Sequence, residues 1–147
     1  MAESHSATER IIEGIDLELR VYSDIDWRTR DILGHIATWE REVAKSLSTF
    51  LVESEYAIPN MEGDETDFNE QALTEQREFS TQQIVEEWKH ARKDFKFGQS
   101  DIAEDRFPCD LLYPWGDERG SISQLVECMI EHDEEHRNEI MKVLQVT

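Results

Sequence analysis

Along the chain, apolar residues recur at three- and four-residue steps in four separate stretches, the spacing that lets one face of an α-helix be buried. The longest stripe, Ile32, Ile36, Trp39, Val43, Leu47 and Phe50, predicts a helix over residues 26–51 that hides one face for about seven turns. A shorter stripe, Ile11, Ile12, Ile15, Leu19 and Tyr22, predicts a first helix over residues 7–22. The third carries Ile84, Trp88, Ala91 and Phe95. It opens at Ser80, where Ser-Thr-Gln-Gln has the form of a capping box: Ser80 accepts from the backbone N–H near Gln83 and Gln83 returns the bond. The fourth opens on a second such box, Ser121 to Gln124, and runs to about residue 144.

Polar punctuation separates these stretches. Pro59, Asn60 and Gly63 among acidic residues predict a loop, and FNEQALTEQ after it predicts a short helix. Over residues 96–120 the helical period breaks, with Gly98, Pro108, Pro114, Gly116 and Gly120 spread among Phe107, Leu111, Leu112, Tyr113 and Trp115. A connection this long inside a small domain is usually functional or docked as a lid, and its aromatics point to docking. The expected architecture is all-α, a four-helix bundle with long connections.

The 147 residues suit one domain with one core, so 1–147 is read as a single unit. With 34 acidic against 15 basic side chains the formal net charge is -19, which would repel phosphate backbones and anionic bilayers over most of the surface. Neither nucleic acid nor membrane is expected as a partner. The first residues show no basic start followed by an apolar run, and no segment approaches the roughly 18 apolar residues of a membrane span, so a cytoplasmic location is expected. Cys109 and Cys128 form no CxxC pattern and read as free thiols.

Candidate chemistry enters through the fourth stripe. Its successive positions are Ile122, Leu125, Met129, His132, His136, Ile140 and Val143, so two histidines stand where a bundle core expects Leu or Ile. Residues four apart lie one turn above each other with Cβ atoms about 5–6 Å apart, near enough for both imidazoles to bind one metal ion. The plainer alternative is two buried neutral histidines satisfied by carboxylates or carbonyls. A third ligand would decide. His5 lies in a polar tail and His90 falls off its helix's stripe, whereas His35, three residues after Ile32 and four before Trp39, faces inward beside Gly34, which can admit another helix or a ligand. Three imidazoles would leave an open coordination position, as catalytic metal sites do.

DILGHIATWERE around His35 and IEHDEEHRNEI around His132 and His136, with LYPWG before the last helix as a weaker echo, are similar to the histidine motifs of the DinB-like superfamily. That family comprises four-helix proteins that include bacillithiol- and mycothiol-dependent transferases, and the resemblance covers nearly the whole chain in order and spacing. It implies that His35, His132 and His136 form a metal-binding triad, with zinc or nickel the expected ion. It also implies an activity in detoxification or stress response, in which a low-molecular-weight thiol attacks a small electrophile such as an epoxide, a halide or an antibiotic. A homodimer is expected on the same ground. A metal lowers the pKa of a bound thiol, and equally of bound water, so a metal-dependent hydrolase is the alternative enzyme. A non-enzymatic metal- or ligand-binding stress protein is the alternative outside enzymes.

Around the triad, Glu135 and Glu139 stand three residues after His132 and His136, within reach of their second ring nitrogens. Cys128, one turn before His132, reads as a small buried hydrophobe, with a fourth ligand or a reactive thiol as the other possibility. Cys109 reads as an inert exposed thiol. Trp39 and Trp88 read as core, and Trp115 as a cap over the site. Glu87 and His90 match the Glu-x-x-His spacing of carboxylate-bridged di-iron bundles, but that design requires a second such motif and two more inward glutamates.

Overall fold

The structure is a computed structural model describing residues 2–22, 24–59, 61 and 65–146, the side chains of residues 2–5 and 146 excepted. Asn60 and Gly63, part of the predicted loop, and the side chain of His5 lie outside the described set. Five α-helices are present: α1 (Ala2–Glu13), α2 (Thr29–Leu51), α3 (Glu65–Gln76), α4 (Thr81–Ser100) and α5 (Ile122–Val146). A 3-10 turn, Glu104–Arg106, and two short strands, β1 (Asp110–Leu112) and β2 (Arg119–Ser121), lie between α4 and α5. The fold is all-α with one hairpin. None of the described helices is long and apolar enough to cross a membrane.

The bundle is made by α1, α2, α4 and α5, with α2 packed most extensively on α4 and also on α5, and α1 on α5. The short α3 is not part of it: no residue of α3 is buried, and the helix lies on α2 as an outer layer. Both predicted capping boxes form. Gln83 N–H donates to Ser80 Oγ at 3.1 Å while Ser80 N–H donates to Gln83 Oε1 at 2.7 Å, and Gln124 N–H donates to Ser121 Oγ at 3.1 Å.

Several boundaries differ from the sequence pattern, and the first helix already begins at Ala2 rather than at residue 7. It stops at Glu13, before Gly14, and the stretch expected to continue it makes a turn at residues 16–19 and then runs antiparallel to the residues leading into α2. Leu17, Leu19 and Val21 follow a two-residue period, and their backbones pair with the start of α2: Arg30 N–H on Leu17 O at 2.9 Å, Thr29 N–H on Leu19 O at 2.9 Å, and Val21 N–H on Trp27 O at 2.9 Å. Residues 15–22 and 24–28 thus form a strap, and α2 begins at Thr29 rather than at residue 26. The third helix continues past residue 96 to Ser100, because Gly98 faces Leu47 of α2, where an added Cβ would stand 3.7 Å from Leu47 Cβ. A Gly there costs some helix propensity but keeps the two helices in contact.

The long connection is docked, as its aromatics imply. Leu111 and Tyr113 are buried, and Tyr113 donates from its hydroxyl to Ser121 O at 2.8 Å. The turn between the strands needs Gly116 at φ 86°, a left-handed conformation that glycine adopts without a Cβ clash. That turn places Trp115 against Trp39 of α2, ring centroids 6.2 Å apart.

Two apolar clusters fill the bundle. One gathers Val43, Leu47, Phe95, Ile122, Leu125 and Met129 around the hairpin, and the other gathers Ile12, Ile32, Ile36, Ile84, Trp88 and Ile140 at the strap end. Burying each of these Leu, Ile or Phe side chains contributes roughly 1.5–3 kcal/mol. In sequence Glu40 on α2, Arg92 on α4 and His132 to Arg137 on α5 fall where one set gives way to the other, and His35 lies between Ile32 and Ile36 of the second.

Candidate metal centre

His35, His132 and His136 come together. Their ligating atoms lie within 4.8 Å of one another, and this is the group of His, Cys, Asp and Glu side chains among the described residues that can hold a metal ion. Nε2 of His132 stands 3.0 Å from Nε2 of His35 and 3.1 Å from Nε2 of His136. The two α5 histidines converge because they are one turn apart on the inward face, and α2 supplies the third from its own inward edge. Gly34 does admit a neighbour, though not a ligand: Gln76 at the end of α3 donates to Gly34 O at 3.0 Å and to Thr38 Oγ1 at 2.9 Å. A Cβ on Gly34 would meet Gln76 Oε1 at 2.5 Å.

Two of the rings, His35 and His132, are kept neutral. Burial, with the other two imidazoles nearby, holds His35 down to about 3, and burial with His136 holds His132 down to about 4, against an ordinary 6.5. Each therefore offers a ring nitrogen lone pair at neutral pH. On the far side of His136, Nδ1 lies 3.0 Å from Glu139 Oε2 and 3.3 Å from the Tyr22 hydroxyl, and that hydroxyl donates to the same Glu139 oxygen. Burial, Glu139 and the carboxylates beyond it push the Tyr22 phenol well above its usual range, so it stays protonated. The Trp27 ring meets the His35 ring edge-on at 5.2 Å. Tyr22 and Trp27 both come from the strap, and periodicity gave no sign of them because it assigned Tyr22 to a helix.

The fit to a metal follows from the donors. Three Nε2 atoms face one another, and Nδ1 of His132 is buried with no hydrogen-bond partner among the described residues. Hydrogen bonds alone leave this ring poorly served. An ion with bonds of about 2.0–2.1 Å holds neighbouring donors about 3.0–3.4 Å apart, depending on whether its angles are right-angled or tetrahedral, and the observed spacings lie at the short end of that range.

Beside the triad is a cleft of about 310 Å³ whose wall includes His35, His132, Trp39, Trp115 and Met129, with Asn69, Glu65, Glu118 and Cys128 at its polar side. Both indoles are fixed by their N–H groups, Trp39 on Asn69 Oδ1 at 2.9 Å and Trp115 on Glu118 Oε2 at 2.7 Å. Trp115 thus caps the site as expected, while Trp39 belongs to the core and to the cleft at once. A larger cleft of about 510 Å³ lies between α2 and α3, lined by Arg41, Lys45 and Phe68, with no histidine in its wall.

The remaining residues sort as follows. Cys128 is exposed on the cleft wall, contrary to the buried reading, because it sits one turn ahead of His132 where α5 emerges beside the hairpin. Cys109 is exposed as expected. Glu135 is exposed and only Glu139 reaches a histidine. His90 is exposed and pairs with Asp94 at 3.3 Å, while Glu87 pairs with Arg41, so the Glu-x-x-His spacing faces outward and supplies no di-iron site.

Asp133, next to His132, enters a different cluster. It pairs with Arg92 and, at 3.2 Å, with Arg137, and it accepts from the Thr8 hydroxyl at 3.0 Å. Glu40 lies 3.3 Å from Arg92, and burial, against the pull of Arg92, pushes its carboxyl up to about 8. Arg92 also lies over the Trp88 ring, 4.3 Å from its centroid.

The family model described as the DinB superfamily matches residues 4–140. The chain belongs to the DinB superfamily. Comparison with curated proteins and with solved structures gave no match. Membership in the DinB superfamily and the three gathered histidines fit a metal-dependent enzyme.

Proposed function

We propose that the chain is a metal-dependent thiol S-transferase that joins a low-molecular-weight thiol to a small electrophile at the cleft beside the triad. The observation that carries this reading is the convergence of three Nε2 atoms, two of whose rings also form part of the cleft wall. His35, His132 and His136 would hold zinc or nickel. A metal held there supplies a Lewis acid that lowers the pKa of a thiol. The protein's own part is to keep His35 and His132 neutral, to fix His136 from behind through Glu139, and to offer the apolar faces of Trp39 and Trp115 to the body of an electrophile.

The test begins with elemental analysis of protein made without a histidine tag, as the native chain, His35→Ala and His132→Ala. Near-stoichiometric zinc or nickel in the native chain, lost in both variants, is expected. Metal-loaded native protein is then given a reactive chloro-nitroarene with bacillithiol, mycothiol or glutathione, and His132→Ala serves as the control. Conjugate formed only by the native chain supports the transferase. A thiol-independent hydrolysis product would assign a hydrolase instead, and absence of metal after loading would remove both enzyme readings.

A further inference from the structure

Tyr22 stands behind the triad, on the strap, where no ligand in the cleft would touch it. Its hydroxyl has one proton, and that proton goes to Glu139 Oε2. Towards His136 Nδ1, at 3.3 Å, the phenol oxygen therefore presents only lone pairs. Glu139 Oε2, at 3.0 Å from the same nitrogen, is an acceptor too. Two acceptors facing Nδ1 demand an N–H there, and an imidazole that is to hold a metal through Nε2 must carry its one N–H on Nδ1. The Nε2 lone pair is then forced to face His132, 3.1 Å away.

We propose that Tyr22 and Glu139 form a positioning pair that locks His136 in its Nδ1–H form, with Glu139 deciding which way the Tyr22 proton points. Without the carboxylate, the Tyr22 hydroxyl is free to donate to Nδ1, which would move the ring proton to Nε2 and close that nitrogen to a metal. The same tyrosine thus supports the site when Glu139 is present and opposes it when Glu139 is gone. The inference rests on the metal reading for its effect on affinity, but its effect on the tautomer stands without a metal.

The experiment compares native protein, Tyr22→Phe, Glu139→Ala and the double variant. Imidazole nitrogen NMR on metal-free protein gives the His136 tautomer, and zinc titration against a chelator gives affinity. Glu139 lies on a partly exposed helix face where alanine is a good helix former, so the fold is retained. Glu139→Ala is expected to show Nε2–H at His136 and to lose about 10–100-fold in zinc affinity. Tyr22→Phe keeps Nδ1–H with a smaller loss. The double variant should bind zinc more tightly than Glu139→Ala alone, a reversal that a merely structural role for Tyr22 would not give. A double variant equal to or weaker than Glu139→Ala, with the tautomer unchanged in both, overturns the proposal. If native protein binds no zinc, the metal reading falls, while the tautomers still decide whether the pair positions His136.

Discussion

His132 and Asp133 are consecutive on α5, yet their side chains enter two polar clusters satisfied in opposite ways. Around Asp133, Arg92, Arg137, Glu40 and Thr8 set cations against acids and a hydroxyl donor against a carboxylate, so unlike groups face each other. Around His132, like groups face like: three ring nitrogens converge, and its other nitrogen is buried without a partner among the described residues. The first cluster joins α1, α2, α4 and α5 and belongs to the fold. The second could hold a metal ion, and it adjoins a cleft. Burial alone does not separate a structural polar cluster from a functional one; whether the groups satisfy one another does.

The largest test of this contrast is Arg92→Met. Removing the cation between Asp133 and Glu40 breaks a buried pair, which costs about 3–5 kcal/mol. Urea unfolding of metal-free protein would read this directly. His132→Ala in the same assay should stay within about 1 kcal/mol of the native chain, because the deleted ring leaves no charge behind and removes an unpartnered nitrogen. Equal losses in the two variants would erase the distinction between the clusters.

Proton linkage separates them by sign. His35 and His132 take protons near 6.5 when unfolded but only near 3 and 4 when folded, so the unfolded state binds more protons between these values. Their contribution to stability is complete above about pH 6.5 and is lost as pH falls towards 4, at about 1.4 kcal/mol per pH unit for each proton. Glu40 acts the other way: folded, it keeps its proton up to about 8 against an ordinary 4.5, so its contribution falls as pH rises through that interval. Urea midpoints of metal-free protein from pH 4.5 to 8.5 should drop on the acid side. The His35→Ala/His132→Ala double variant should flatten that acid limb, and Glu40→Gln should remove the opposing slope. An acid limb unchanged in the double variant would show that His35 and His132 are not held neutral by the fold.

Much of this was legible in the sequence wherever one residue type at one spacing has one outcome. The apolar stripes gave four bundle helices, Ser80 and Ser121 gave two helix starts, and His132, His136 and His35 were readable because histidine on an inward stripe is out of place. The strap was not, since Ile15, Leu19 and Tyr22 fit a helical period while Leu17, Leu19 and Val21 fit an extended one, and only pairing with the start of α2 chooses between them. Tyr22 was hidden with it. The Arg92 cluster was invisible for a different reason: in a chain with 34 acids, nothing local distinguishes Glu40 and Asp133 from solvated neighbours. Apart from Arg137, one turn on from Asp133, their partners come from α1 and α4, far away in sequence.

Cys128 gives the smallest effect and tests where the functional cluster ends. Its thiol lines the cleft one turn from His132, but it is not in the group whose ligating atoms gather within 4.8 Å. Burial and the carboxylates of Glu131, Glu118 and Glu65 push the thiol up, which disfavours the thiolate that would bind a metal or react. Cys128→Ser is therefore expected to change zinc affinity by less than the roughly tenfold lost when a histidine's supporting carboxylate is removed. Alkylation of Cys128 by iodoacetamide near pH 8 should be slower than that of an unstructured peptide thiol, and Glu118→Gln should speed it by easing the charge beside the sulfur. A large loss of zinc in Cys128→Ser would instead make the sulfur a fourth ligand. The triad would then be closed by the protein itself, leaving no position for a thiol from outside, and the transferase reading would fall with it.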